Sequence, residues 1–417
     1  MIADVFHSSL NPRGGSERVA IATIRALLGI DGIDVRLNTF EQPNLTKLTA
    51  SYGQNVTAMM QRISRIGVYQ SLEKISLSNP SHLTVNTHGD LLPFFNQQMT
   101  KSNSIVYCHF PLAKYWIDSE RPEYFSLIHH ASVMQKSKAY RTRFLAQAKS
   151  NYIQMIRNST VLTNSEYSRR AIWKTFGIKS TVLSPPVEIE RIRNAVRLRS
   201  SQIQKSETVL VISRFHYSKK IENAIKLARL LNENKIGDGL TIVGNLSSDS
   251  IEYFTHLREM VENYGLGRFV KFIINADFGV LTDLVCKSKV YFHPLAGEPF
   301  GISIVEAMSA GLIPVVPDIG GYTEFVPQKY QFHTLGEAVE AVAEAMQAAY
   351  SEKEKLSESV EQFSVYNYIQ SFRKIVSELE ERPRAAETET VPIPISGRRT
   401  HHHPSDLYQN SFSRIRS

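Results

Sequence analysis

The feature that most constrains this chain is an alternation of short strand-like runs with helix-length segments, which occurs twice. Runs rich in β-branched or aromatic residues lie at Ile2–His7, Asp34–Phe40, His82–Thr87, Ser104–His109, Thr160–Asn164 and Thr181–Leu183, with amphipathic or polar stretches between them. Strands spaced this way are best joined as a parallel sheet with crossover helices. Ser184-Pro185-Pro186 breaks the pattern, and the following stretch to Ser206 is dense in Arg, Ser and Gln. The alternation then resumes at Thr208–Ser213, Leu240–Gly244, Val270–Ile274, Lys289–Pro294 and Leu312–Pro317. Helices are expected at Ile221–Asn232, Asp249–Tyr264, Val280–Lys287 and Ile302–Ala310. The predicted fold class is α/β, with doubly wound halves at 1–184 and 207–363 and a linker at 185–206. A last amphipathic helix, at 364–380, is expected to return to the first half. The tail 382–417, rich in Pro, Thr, Ser, His and Arg, is expected to be disordered.

Composition narrows the function classes. With 42% hydrophobic and 21% charged residues among 417, the bulk of the chain is neither disordered nor fibrous. Cys108 and Cys286 are too few for a disulfide framework or a four-cysteine zinc site, which favours a reducing compartment. No apolar run reaches the roughly 18–20 residues needed to span a bilayer, and Met1–Phe6 has no basic n-region, so neither a membrane span nor a leader is expected. The net charge, 48 − 40 = +8, is a weak bias toward anionic partners. His401-His402-His403 sits in the tail and is expected to be inert.

Three strings can carry chemistry. Gly14-Gly15-Ser16-Glu17-Arg18 follows the first strand and opens a helix, whose unpaired N–H groups would face an anion. It is not GxGxxG, which argues against a dinucleotide-dependent dehydrogenase. Arg214 and Lys219, just after the first strand of the second half, could clamp a diphosphate or form a solvated basic loop. The most specific string is Glu298-Pro299-Phe300-Gly301-Ile302-Ser303-Ile304-Val305-Glu306. Its loop and helix carboxylates can face one ligand, and as acceptors they suit vicinal hydroxyls of a sugar or ribose. Gly301 lets the main chain approach that ligand, and Gly311 closes the helix.

Glu298…Glu306 with Phe300-Gly301, then Ala307-Met308-Ser309-Ala310-Gly311 and Gly320-Gly321…Glu324, resembles the donor-site signature of GT-B retaining glycosyltransferases, family 4. The resemblance covers about residues 1–380. It implies two facing Rossmann-like domains and a nucleotide diphosphate sugar as donor. Arg214 and Lys219 would hold the diphosphate, Glu298 the hydroxyls of the transferred sugar and Glu306 the ribose. The backbone at Phe300, Gly301, Ile302 and Ser303, with Gly14 and Gly15, would meet the phosphates, and Gly244 would line the nucleotide. His109, in Tyr107-Cys108-His109-Phe110-Pro111, matches a histidine that assists the reaction, and His88 and Asp90 are candidates for the acceptor pocket. Within the family, these strings are most similar to eukaryotic α-1,2-mannosyltransferases that extend a lipid-linked N-glycan precursor from GDP-mannose. Such enzymes carry an N-terminal membrane anchor, whereas this chain begins at its first strand.

The resemblance therefore implies a hexosyltransferase that needs no cofactor and is metal-independent. The acceptor would be a glycan or lipid-linked glycan, at a cytoplasmic or peripheral membrane location. A UDP-sugar enzyme of polysaccharide or glycolipid synthesis is the alternative. The segment 136–157 interleaves Lys and Arg with aromatic and aliphatic residues. It is read either as a helix lying on an anionic membrane or as one packed on its own sheet. No nucleic-acid-binding motif occurs, so nucleic acid is not an expected partner.

Overall fold

The computed structural model describes residues 1–12, 14–53, 55–70, 75, 81–89, 103–111 and 137–381. Asp90 and the tail 382–417 lie outside the described residues. The described chain divides into two compact units, one holding residues up to Pro186 and again from Tyr366 to Glu381, the other Val187–Val365.

In the first unit, the strands are β1 (Ile2–Phe6), β2 (Asp34–Thr39), β3 (Arg65–Val68), β4 (Leu83–Asn86), β5 (Asn103–Tyr107), β6 (Thr160–Thr163) and β7 (Thr181–Val182). They pair in parallel in the order β3-β2-β1-β4-β5-β6-β7. Central strands of such a sheet are covered on both faces, and all four residues of β4 are accordingly buried. β3 escaped the sequence reading because it is a short edge strand with Gly67 inside it and exposed residues at both ends.

The helix Gly15–Leu28 covers one face through Val19, Ala20, Ile24 and Leu27. The last helix, Val365–Glu381, returns to this unit as predicted, burying Tyr368, Phe372, Val376 and Leu379 in the same core. Tyr368 shares a 2.7 Å hydrogen bond with Thr23, and Arg373 Nε donates to Ala26 O at 3.0 Å. Burying four such side chains is worth on the order of 10 kcal/mol as an upper bound.

Of the two readings of 136–157, the packing matches the helix that lies on its own sheet. The helix spans Lys138–Arg157, and its Ala148, Tyr152, Met155 and Ile156 are buried against Val106, Cys108, Val161 and Ile172. These four side chains are used on the protein's own sheet. Lys138, Arg143, Lys149 and Arg157 are exposed, as is the Tyr140 ring.

In the second unit, β8 (Thr208–Ile212), β9 (Gly239–Gly244), β10 (Val270–Ile274), β11 (Val290–Phe292), β12 (Ile313–Pro317) and β13 (Gln331–Phe332) pair in parallel as β10-β9-β8-β11-β12-β13. The predicted linker 185–206 is a correction. Val187 bridges Ser364, and Ile189–Arg199 is a helix packed on the helices Phe278–Lys287 and Ile302–Ser309. Its arginines looked like linker composition, but Arg193 pairs with Glu361 and Arg199 with Asp283, while Ile189 is buried. The domain boundary therefore falls at Pro186, ahead of this helix.

Candidate active site

In each unit the strand order reverses once, between β1 and β4 in the first and between β8 and β11 in the second. Ligands of open α/β sheets bind outside the carboxyl ends of strands at such points. The residues singled out by sequence collect at these two places.

In the second unit, Phe215 is buried after β8 against Phe254 and Phe272, and Arg214 beside it is left exposed. Among the described residues Arg214 makes no ion pair. His216 caps the short turn Tyr217–Lys219 by accepting from the Ser218 N–H through Nδ1 at 3.3 Å. That turn aims Lys219 at Glu298, with Nζ 3.2 Å from both carboxylate oxygens. Of two adjacent lysines, it is thus Lys219 that reaches this carboxylate.

Glu298 lies in the loop after β11. The Gly321 N–H donates to its main-chain O at 2.9 Å, and the Gly297 N–H donates to Ile319 O at 2.6 Å. His293 Nε2 approaches Glu298 Oε2 at 3.0 Å, out of hydrogen-bond alignment but well within ion-pair distance. Burial works against charge on Glu298. Lys219 and then His293 outweigh it and hold the carboxyl far below the usual carboxylate range. Glu298 is an ionised acceptor at neutral pH, which suits hydroxyl binding.

Phe300 is directed inward, edge-on to Phe363, so only its main chain is available to a ligand. Gly301 N-caps Ile302–Ser309 at φ 98°, where a side chain would be strained and would meet Ile304. Ile302 and Ser303 open that helix, leaving first-turn N–H groups without intrahelical partners. Ser303 Oγ is 2.8 Å from the Tyr291 hydroxyl. Burial, followed by the nearby Glu298 and Glu306 carboxylates, pushes the Tyr291 phenol upward, while Ser303 opposes the shift. Both glutamates of the motif therefore act on one buried hydroxyl. Gly244 ends β9 against Ser213 O, so close that no Cβ fits; its identity is demanded by the strand packing itself.

In the first unit the ends of β1, β4 and β5 bring His7, His88 and His109 together. The His7 and His88 rings stack at 4.8 Å, Ser8 Oγ is 2.7 Å from His88 Nδ1, and His7 Nδ1 is 3.0 Å from Thr87 Oγ1. His109 Nε2 is 3.3 Å from Thr87 O. A carbonyl only accepts, so this contact assigns the proton of neutral His109 to Nε2 and leaves Nδ1 as an acceptor. Burial, and then His7, lower the His109 pKa to about 4, against smaller opposing effects of Thr87 and Glu17. Burial likewise drives His88 down, with His7 and His109 adding to it. Both rings are neutral at pH 7.

Gly14 and Gly15 do open a helix, but its N-terminal end is already faced by an anion of the chain. The Glu17 carboxylate folds back over Gly14, accepts from Ser16 Oγ at 3.1 Å and lies 3.7 Å from His7 Nε2. Burial opposes its charge, yet His7 leads the contacts that keep its pKa below the usual value. A ligand at this helix end would therefore meet the Glu17 carboxylate as well as the first-turn N–H groups.

His7, Glu17, Tyr291 and His293 were missed by sequence reasoning. One signal would have found three of them: like His88 and His109, His7 and His293 immediately follow parallel strands or their last turn, and Tyr291 lies within β11 two residues before His293. Among the described residues no group of three or more His, Cys, Asp or Glu side chains is placed to hold a metal ion.

Residues 195–366, which contain the Lys219–Glu298–His293 site, match the family described as glycosyl transferases group 1. This part of the chain is similar to that family. Curated proteins similar to this chain include the GDP-Man:Man(3)GlcNAc(2)-PP-Dol alpha-1,2-mannosyltransferase of Dictyostelium discoideum. It is 28% identical over 229 residues, 50% of this chain and 45% of the relative. The enzyme of the same name from Mus musculus is 28% identical over 170 residues, 39% of this chain and 34% of the relative. The chain thus spans less than half the length of these two curated relatives. Among solved structures, HepE of Anabaena in complex with UDP superposes with a TM-score of 0.64 at 17% identity, covering 90% of this chain and 99% of HepE. This establishes the GT-B fold, two parallel-sheet Rossmann-like domains.

Proposed function

We propose that the chain is a retaining hexosyltransferase that moves mannose from GDP-mannose to a hydroxyl of a lipid-linked glycan. The observation that carries this reading is the Lys219–Glu298–His293 cluster at the strand switch of the group 1 domain. The names of the relatives supply donor and acceptor.

Departure of the nucleotide places negative charge on the β-phosphate. Arg214, Lys219 and the first-turn N–H groups of Ile302–Ser309 are cationic or dipolar groups suited to that point, and removal of one such contact costs about 10²–10³-fold in rate. Glu298 accepts from hydroxyls of the transferred sugar and Glu306 from the ribose. Gly14, Gly15 and Gly244 keep side chains away from the nucleotide. Neutral His109 offers Nδ1 as an acceptor beside the reacting sugar, and His88 and Asp90 serve the acceptor. The incoming hydroxyl attacks on the face that the phosphate leaves, and the departing phosphate takes its proton. Two cations suffice for the diphosphate, so transfer is metal-independent and survives EDTA.

The protein works at the cytosolic membrane face. Among the described residues no helix is long and apolar enough to cross a membrane. Attraction by the exposed basic side of Lys138–Arg157 is therefore electrostatic, about 1 kcal/mol per residue near an anionic surface.

The test is nucleotide release and thermal shift with GDP-mannose, UDP-glucose and UDP-GlcNAc, on the wild type and on Glu298→Ala and Arg214→Ala. Stabilisation by uridine nucleotides alone would reject the donor, and wild-type turnover in both variants would reject the site. Flotation with anionic vesicles should be lost at high salt; salt-independent binding would contradict the electrostatic contact.

A further inference from the structure

Glu298 has two partners of very different mobility. Lys219 sits on a short turn at the end of a flexible four-carbon stem, with 21% of its side chain exposed. His293 has only 5% of its side chain exposed and is held on several sides. Its N–H donates to Val315 O at 2.9 Å, its ring meets the Tyr322 ring at 5.3 Å, and Asn223 Nδ2 fixes the next residue through Pro294 O at 3.1 Å. Tyr291, fully buried, places its hydroxyl 3.4 Å from His293 Nδ1 and 2.8 Å from Ser303 Oγ.

Resting on the donor-binding reading above, we infer that His293 is the positioning residue that keeps Glu298 ionised and aimed at the sugar once a diphosphate has drawn Lys219 away. A diphosphate carries more charge than one carboxylate and offers more acceptor atoms to an ammonium, so Lys219 turns toward it. A carboxylate stripped of its cation in a partly buried loop would protonate or rotate toward solvent. The packed His293 ring cannot follow Lys219, and it stays beside Oε2. Oε1, released by Lys219, becomes the free acceptor for a sugar hydroxyl. The Ser303–Tyr291–His293 row ties this carboxylate to the first turn of Ile302–Ser309, the turn suited to the phosphates. Phosphate arrival and sugar-hydroxyl recognition are thereby joined through one buried row of side chains.

The reasoning separates binding of the nucleotide from binding of its sugar. In the full-length chain, His293→Phe and His293→Gln are compared with wild type by calorimetric titration of GDP and of GDP-mannose, with UDP and UDP-glucose in parallel, and by kcat and KM. His293→Phe should bind GDP within about threefold of wild type. Its GDP-mannose affinity should fall about 10- to 100-fold, the range for a buried carboxylate that loses a close polar partner. His293→Gln, whose amide can still donate near Oε2, should recover most of that loss. An unchanged preference for the sugar nucleotide in His293→Phe overturns the inference. So does an equal loss of GDP and GDP-mannose, the mark of a merely structural role, or a Gln variant no better than Phe. A wild-type chain that binds neither nucleotide nor sugar nucleotide refutes the donor-binding reading first, and is distinguishable from all three.

Discussion

Replacing Glu298 by Gln should change nucleotide binding and transfer in opposite directions. Lys219 Nζ is 3.2 Å from both Glu298 oxygens, so the carboxylate competes with any incoming phosphate for that cation. At an effective dielectric of about 20, two unit charges at that separation attract with about 5 kcal/mol. Desolvation and ordering of the lysine offset most of this, and charged hydrogen bonds contribute about 1.5–3 kcal/mol net. The Gln carbonyl keeps a neutral hydrogen bond, which leaves roughly 1–2 kcal/mol to be released. Glu298→Gln should therefore bind GDP about 5- to 30-fold more tightly than wild type, since 1.4 kcal/mol is tenfold. Turnover should meanwhile fall about 10²–10³-fold, as for loss of a preorganised contact at the reacting centre. Calorimetric titration at about 0.05 and 0.5 M salt checks the origin, because a Coulombic gain shrinks as screening rises. Weaker or unchanged GDP binding by Glu298→Gln would refute the idea that the carboxylate holds Lys219 in reserve.

Other consequences can be checked independently. With His109 held neutral by burial and a pKa of about 4, the unfolded chain takes up a proton between pH 6.5 and 4 that the folded chain refuses. This His109 contribution to stability, on the order of 3 kcal/mol, is present above that window and lost as pH falls through it. The fall in melting temperature from pH 6.5 to 4 should thus be shallower in His109→Gln, and an unchanged slope would contradict the assignment. Gly301→Ala forces a side chain onto a φ of 98° and against Ile304, so it should lower stability by about 1–2 kcal/mol and kcat/KM with it; full activity at unchanged Tm would contradict both effects. Tyr368→Phe removes the partner of buried Thr23 Oγ1 and should destabilise the first unit by about 1 kcal/mol in urea unfolding, without changing affinity for GDP.

The parts of this protein that were legible from sequence are those with a local physical signature. Buried parallel strands advertise themselves as apolar runs, and Glu298, Gly301 and Glu306 sit at a spacing that a loop and a helix turn can read together. Edge strand β3 and the short β13 have no such run. The helix Ile189–Arg199 was obscured because four arginines dominate its composition, although Ile189 is buried and Val196 packs against the core. The histidine cluster of the first unit depends on three strands far apart in sequence, and its members become a group only when β4 is inserted between β1 and β5. Glu17 was hidden for another reason. A carboxylate in the first turn of a helix looks like ordinary dipole compensation, and only its fold-back toward Gly14 and His7 shows what it faces.

The returning helix Val365–Glu381 also sets an order of events during synthesis. Among the described residues the second unit is one uninterrupted stretch, Val187–Val365, and holds all its described strands once that stretch has been made. The first unit begins earlier but lacks Tyr368, Phe372, Val376 and Leu379 until the chain has reached the end of its last described helix. The half that is translated first is therefore completed last, and a nascent chain halted near residue 365 would carry a finished second unit alongside a first unit with an open core.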